Sequence, residues 1–429
     1  MYDAPLTALV LSGGGARAAY QVGVLRAIVA LRRQRQGSRA RVRNPFGVIV
    51  GTSAGAINAA ALACQADRFE AALEVLAKVW QNFETGQVYR ADSLGEIHTG
   101  AGWRTMLSVG QLVSRWRRDQ PRSLLDNRPL AELLRRWLPL DRLPMLLQQR
   151  QLHGLAITAS RYSTGEHVTF YSMDQPVEPW LRSGRIVVPS VISHPHLMAS
   201  SAIPFIFPPT QLTMAGGSGW YGDGSMRQTA PLSPAIHLGA ERLLIIGAGR
   251  MHGPPANPPP DEPPPTWAQV AGHAMASIFL DALAVDIERM QRINRTLALL
   301  PDSARQDTPL RPLESLVISP SQRIDEIATR HQALLPKAVR ALLNGGAAVT
   351  PGDGAQAEAG RSAAMASYLL FEAPFTRELM ALGEADAMAR RDEVLQFFAW
   401  DRPAPRRRPL AETWVPPALP GGVVDIVLT

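Results

Sequence analysis

Gly51-Thr52-Ser53-Ala54-Gly55 sets a serine between two glycines. The apolar run Phe46 to Val50 precedes it and the small-residue run Ala54 to Ala63 follows. A buried strand, a sharp turn and a helix, in that order, are what a nucleophilic serine needs if its hydroxyl is to project above a sheet. Gly51 and Gly55 allow close backbone approach. A helix starting after Ser53 adds positive partial charge that favours an oxyanion. The same pentapeptide in an ordinary strand–helix turn would carry no chemistry, so the context decides.

Gly13-Gly14-Gly15-Ala16-Arg17-Ala18 occupies a second strand-to-helix junction. Taken literally it fits a dinucleotide fingerprint, which needs an acidic residue about 20 positions on. No Asp or Glu occurs between Ala4 and Ala66. Only a phosphorylated dinucleotide met by arginine would survive that, and a P-loop is excluded because no Gly-Lys-Ser/Thr follows. Beside an elbow serine the simpler use is an oxyanion hole, with successive backbone N–H groups turned into one concavity. Arg17 reads either as a charge at the mouth or as a surface arginine.

A serine nucleophile needs a proton acceptor. By chain order His237, downstream of Asp223, fits a Ser–acid–His triad, although Ser233 to Gly239 reads as a short helix. His194 and His196 flank Pro195 with no acidic partner nearby, so no metal site is expected. Asp223 lies between Gly222 and Gly224 at the end of a strand. A carboxylate there takes a serine proton directly if desolvation raises its basicity; as a bland alternative it is a turn aspartate before glycine.

These residues need a scaffold. Thr7 to Leu11 and Phe46 to Val50 read as buried strands, each followed by a tight turn and a helical run (Ala18 to Leu31, Ala54 to Ala63). Strand–turn–helix twice in 63 residues predicts a parallel α/β sheet. Further strands are predicted at Leu155 to Ala159, Val168 to Tyr171, Trp220 to Gly224 and Arg242 to Gly247. Residues 254–265 are proline-dense and cannot form helix interior. Beyond them, Trp267 to Leu300 reads as one long helix, and Ala363 to Leu370 and Thr376 to Phe398 as two more. The expected organisation is residues 1–250 as a hydrolase domain, 251–266 as a Pro-rich linker, 267–400 as a helical extension and 401–429 as a Pro/Arg-rich tail.

The chain has 429 residues, 46% of them hydrophobic, enough for a full core and incompatible with a fibrous or globally disordered protein. A single cysteine, Cys64, excludes an internal disulfide framework and a Cys-based zinc site. Met1 to Leu11 lacks a basic n-region and a full apolar h-region, so no secretory signal is expected. The longest apolar stretch, Val48 to Ala63, is interrupted by Thr52, Ser53 and Asn58, so no spanning helix is expected. The net charge of +7 comes almost wholly from arginine, since Lys78 and Lys337 are the only lysines. Such a surface favours anionic membranes or nucleic acid; arginine-rich codon usage would give the same composition.

The Gly-Gly-Gly-x-Arg loop, the Gly-x-Ser-x-Gly elbow and the distant Asp223-Gly224 together resemble the patatin-like phospholipase family. So do Ser123 to Leu130 and Ala199 to Pro209, and the resemblance covers roughly residues 6–250. The long helix near Asp281 to Asn294 and Ser367 to Phe371 resemble the C-terminal extension of a bacterial subgroup. The resemblance implies a three-layer α/β sandwich, with a central, mostly parallel sheet flanked by helices and a mainly helical C-terminal extension. It implies a Ser53–Asp223 dyad without histidine, an oxyanion hole from the backbone of Gly13, Gly14, Gly15, Ala16 and Arg17, and acyl-ester cleavage through an acyl-enzyme without metal or cofactor. Thr52 and Ala54 complete the elbow motif, and Gly224 and Ser225 the aspartate motif. Two positions depart from the family pattern: Ala18 stands for the usual Gly, and Ser225 for the usual Gly or Ala, where it bears on the hydrogen bonding of Asp223.

The implied partner is a phospholipid or other acyl lipid, with no nucleic acid expected. Trp103, Met106, Leu107, Val109, Val113 and Trp116 share one helical face, accompanied by Arg104, Arg115, Arg117 and Arg118. That pattern fits a basic interfacial helix or a lid packed on the core. The expected location is cytoplasmic, with peripheral contact at the inner membrane surface.

Overall fold

In the computed structural model the described residues are 5–36, 43–91, 123–175, 177, 180, 184–214, 217–250, 270, 272–274, 277–343 and 362–401. Trp103, Arg104, Trp116 and Arg117, which the sequence pattern offers as interfacial, lie outside the described residues, as do the Pro-rich segment and most of the tail. The strands are β1 (Thr7–Leu11), β2 (Val48–Thr52), β3 (Gly154–Arg161), β4 (His167–Met173), β5 (Arg185–Pro189), β6 (Thr210–Met214), β7 (Gly217–Asp223), β8 (Arg242–Ile246) and β9 (Glu314–Ile318). The helices that matter below are α1 (Ala19–Gln36), α2 (Ala54–Ala63), α3 (Phe69–Gln81), α4 (Arg128–Trp137), α5 (His194–Ser200), α6 (Ser233–His237), α7 (Ala282–Leu299), α8 (Ile324–His331), α9 (residues 362–369), α10 (Ala373–Ala389) and α11 (Arg391–Phe397).

The sheet runs β5-β4-β3-β2-β1-β8-β9, with β7 joined to β3 and β6 to β7. The pairs β2–β3, β1–β2, β1–β8, β8–β9 and β4–β5 are parallel; β3–β4, β3–β7 and β6–β7 are antiparallel. The central strands are apolar on both faces because each face is covered. Leu9, Leu11, Ile49, Ile157, Leu244 and Ile246 point into one apolar layer. Ala8, Val10, Val48, Val50, Leu243 and Ile245 point into the other, with Leu238 from beside α6 and Leu283, Ile287 and Met290 from α7. This is the three-layer α/β architecture that the resemblance implies.

α2 is buried along almost its whole length. Its alanines give it high helix propensity and let it pass between the sheet and its neighbours without bulk. α3 instead buries one stripe, Phe69, Ala72, Leu73, Leu76, Ala77 and Trp80, spaced as an amphipathic helix requires.

The C-terminal region is mostly helical, but it also completes the sheet: β9 pairs in parallel with β8 from Arg242↔Glu314 to Ile246↔Ile318. α10 lies along α1, tied by Tyr20 to Asp386 (2.9 Å) and Arg26 to Glu384 (2.5 Å). Two helical runs differ from the reading above. A π-helical turn, Ser277–Asp281, leads into α7, so the described part of Trp267 to Leu300 is not one regular helix. The run Thr376 to Phe398 is broken at Arg390, which leaves helical geometry between α10 and α11.

Candidate active site

β2 ends at Thr52 and the chain reverses at Ser53 to begin α2. Ser53 has φ 55° and ψ −129°, a conformation side-chain-bearing residues rarely adopt. It is held from both ends: its N–H donates to Ser200 Oγ (2.9 Å), and its carbonyl accepts from the Ala56 N–H (2.8 Å). The spacing of the elbow glycines is a steric demand. A Cβ on Gly55 would stand 2.5 Å from the carbonyl oxygens of both Leu11 and Ser12. Strained residues over-determined in this way cluster at functional sites.

Asp223 is the last residue of β7 and is fully buried. Its N–H donates to the Ala202 carbonyl (2.9 Å), and its Oδ1 accepts from the Ser225 N–H (2.9 Å). Oδ2 makes no aligned hydrogen bond among the described residues. Burial pushes the carboxyl from the ordinary 3.8 up to about 6; the nearby Ser53 hydroxyl and the Ser225 N–H and hydroxyl pull it back only in part. Ser225, the departure from the family pattern, is therefore one of the groups that set the basicity of Asp223.

The glycine loop follows β1. Gly14 opens a 3₁₀ turn, Gly15–Ala18, and Gly15 has φ 54°. Gln21 Nε2 donates to the Ser12 carbonyl (2.8 Å). Asn58 Nδ2, on α2, donates to the Ala18 carbonyl (3.2 Å) and to Gln21 Oε1 (3.0 Å), and Trp80 Nε1 donates to Asn58 Oδ1 (2.9 Å). The loop and the elbow are thus braced against each other. The buried N–H groups of Gly13 to Ala16 donate to no other described residue. Buried backbone donors are nearly always paired, so four together are a site able to receive an anion.

Gly15 and Ser53 open onto one cavity, whose wall is apolar: Ile57 from α2, Leu76 and Trp80 from α3, Leu134 from α4, and Phe371 beyond α9. Ser201 and Trp137 also line that wall, and Ser201 Oγ and Trp137 Nε1 are buried without a hydrogen-bond partner among the described residues. The motif reading did not single out Ser201. Its signal lay in the Ala199 to Pro209 segment, but a serine there carries no spacing that marks it. A strained hydroxyl, a neighbouring carboxylate of raised basicity, unpaired N–H donors and an apolar cavity can together perform acyl transfer on an ester with a long hydrocarbon chain.

The histidines serve elsewhere. His237, at the end of α6, stacks on Trp180 (4.6 Å between ring centres). Its neighbours Ala235 and Leu238 belong to the apolar layer opposite the one that lines the Ser53 cavity. His196 Nδ1 pairs with Ser193 Oγ (2.8 Å) in a capping box at the start of α5, and His194 Nε2 meets the Leu138 carbonyl (3.2 Å). Arg17 is neither at a mouth nor on the surface; it is 3% exposed.

The sequence matches the family model of the patatin-like phospholipases over residues 9–236. No curated protein matches the chain. Among solved structures, VipD from Legionella pneumophila is similar at 13% identity and a TM-score of 0.25, over 88% of this chain and 67% of that one.

Proposed function

From the premise that this chain belongs to the patatin-like phospholipase family, we propose that it is a serine acyl hydrolase cleaving phospholipid or lysophospholipid esters on a Ser53–Asp223 dyad. The Ser53 hydroxyl attacks the ester carbonyl carbon while Asp223 accepts its proton. The tetrahedral oxyanion is met by the N–H groups of Gly13 to Ala16 and by the N-terminal end of α2. Collapse breaks the ester C–O bond, and protonated Asp223 returns its proton to the leaving alcohol. Water then attacks the acyl-enzyme, Asp223 takes the water's proton, and Ser53 leaves with that proton as the fatty acid departs. The acyl chain lies in the apolar cavity.

The observation that carries this reading is a buried Ser53 that opens onto an apolar cavity, with the fully buried Asp223 carboxyl next to its hydroxyl. The test is intact-mass analysis after incubation with a fluorophosphonate, on wild type, Ser53→Ala and Asp223→Asn, with and without anionic vesicles. One adduct in wild type, absent from Ser53→Ala and strongly slowed in Asp223→Asn, is expected. Folded wild type that takes no label in either condition would make the chain a lipid- or protein-binding member of the family.

No helix among the described residues is long and apolar enough to cross a membrane. Peripheral contact with an anionic membrane is proposed through Trp103, Arg104, Trp116 and Arg117. Deleting residues 102–118 should abolish co-sedimentation with anionic vesicles; unchanged binding sinks this part of the proposal.

A further inference from the structure

The resemblance treats Arg17 as part of the oxyanion loop, yet its side chain turns away from the cavity into the C-terminal region. Its Nε donates to Ser367 Oγ (2.7 Å), and its Nη2 to Asp325 Oδ1 (2.5 Å) and the Ala364 carbonyl (3.3 Å). Its guanidinium carbon lies 4.1 Å from the centre of the Tyr368 ring. Ser367 Oγ donates onward to the Ala364 carbonyl (2.6 Å), so that hydroxyl is fixed at both ends. A planar fork engaged by a carboxylate, a hydroxyl, a carbonyl and an aromatic face is a site only arginine satisfies.

The same stretch presses on the catalytic parts from other sides. The Tyr368 carbonyl packs so closely on Gly15 that no Cβ fits between them. Tyr89 Oη donates to the Leu369 carbonyl (2.9 Å), and Phe371 forms part of the cavity wall. At 3% exposure, Arg17 meets a lipid head group only if this stretch leaves. Those contacts lie some 310 to 350 residues from Arg17 along the chain, outside the part that matches the family model.

We infer that Arg17 is a positioning residue: with Asp325, Ser367 and Tyr368 it clamps the Gly13–Arg17 loop to the C-terminal region, so that the loop's N–H donors are aimed correctly only while α8 and α9 are docked. The inference rests on the proposed oxyanion role of that loop. Misplacing a catalytic donor by about 1 Å costs on the order of 100-fold in rate.

The test uses the full chain with Arg17→Lys, Asp325→Asn and Ser367→Ala. Two readouts are taken: kcat and KM on a neutral nitrophenyl ester and on an anionic phospholipid, and hydrogen–deuterium exchange over residues 12–18. Arg17→Lys should lower kcat by about 100-fold and Asp325→Asn by about 10-fold, on both substrates alike and with KM nearly unchanged. Exchange over residues 12–18 should speed up in all three variants. Asp325 lies at the partly exposed edge of the clamp, so Asp325→Asn keeps the test open if Arg17→Lys fails to fold. A rise in KM confined to the anionic lipid would overturn the inference by making Arg17 a substrate contact, as would unchanged exchange in the folded variants. An inactive wild type would defeat the hydrolase reading, and the exchange measurement would still decide the clamp.

Discussion

Thr52 and Asp223 occupy successive positions along one edge of β3: Thr52 stands opposite Thr158, and Asp223 opposite Ala159. β2 leaves that edge where it turns into Ser53, and β7 takes over the next register position from the opposite direction. Thr52 and Asp223, 171 positions apart, are thereby brought to adjacent register positions by backbone pairing. Thr52 Oγ1 and Thr158 Oγ1, 2.8 Å apart, fix the junction, and Gln228 Nε2 adds a bond to Thr52 (3.0 Å). The placement of the proposed Ser53–Asp223 dyad is a property of the sheet more than of any loop.

The first prediction concerns pH. In the proposed role Asp223 must be ionised to act as a base, and burial pushes its carboxyl up to about 6. kcat/KM should therefore rise about tenfold per pH unit below that value and level off above about pH 7. Ser225→Ala removes a hydroxyl that favours the carboxylate, so the acid limb should move to higher pH. A limb that stays in place in Ser225→Ala would free Ser225 of that role, and a profile flat from pH 5 to 8 would remove Asp223 as the base.

The same burial has a cost in stability. The carboxyl of Asp223 is raised from 3.8 unfolded to about 6 folded. Its stabilising proton uptake is complete below about pH 4 and is lost as pH rises through 6. The displacement corresponds to ~3 kcal/mol. Asp223→Asn stays neutral throughout, so its stability relative to wild type should be greater at pH 7 than at pH 4 by about that amount. Urea denaturation at the two pH values measures it; a difference independent of pH would mean that Asp223 is not desolvated.

The legible parts of the sequence were local. β1, β2 and α2 announce themselves because short apolar runs end at glycine-bearing turns, and the steric need for Gly55 is written in the spacing itself. Asp223 stood out by its flanking glycines, and only the family pattern ranked it above His237. Nothing local revealed that His237 faces the opposite layer, because a face is assigned by the packing of α6 and not by chain order. β5, β6 and β9 were missed. β6 carries Thr and Gln among its few apolar residues, and β9 is a five-residue run that becomes a strand only against β8, some 70 residues earlier. Arg17 was misread for the same reason: its partners Asp325 and Ser367 lie more than 300 residues away, and short-range periodicity carries no information about them.

A third prediction follows from the strain at Ser53. Glycine adopts φ 55° and ψ −129° freely, whereas alanine keeps the Cβ penalty. Both substitutions remove the hydroxyl, so their difference isolates the backbone term. Ser53→Gly should be more stable than Ser53→Ala by about 1 kcal/mol, after allowing for glycine's greater freedom when unfolded. Denaturant unfolding of the two variants decides it, and an Ala variant as stable as Gly would mean that the elbow relaxes at no cost.

The fourth prediction tests the cavity. Ile57 lies one helical turn beyond Ser53 and lines the same cavity, since residues four apart share a helix face. An acyl chain carried on the Ser53 Oγ into this cavity would run along Ile57. Ile57→Trp fills that passage without touching the Thr52–Thr158–Gln228 bonds or the Ser225–Asp223 contact. Each methylene excluded from an apolar pocket is worth roughly 1–3 kcal/mol of discrimination. Hydrolysis of esters with about ten or more acyl carbons should fall at least about tenfold in kcat/KM, while acetyl and butyryl esters stay within about threefold. Steady-state kinetics across a chain-length series gives the answer. Equal losses at every length would put the acyl chain somewhere other than this cavity and would leave the apolar space between α2, α3 and α4 as packing alone.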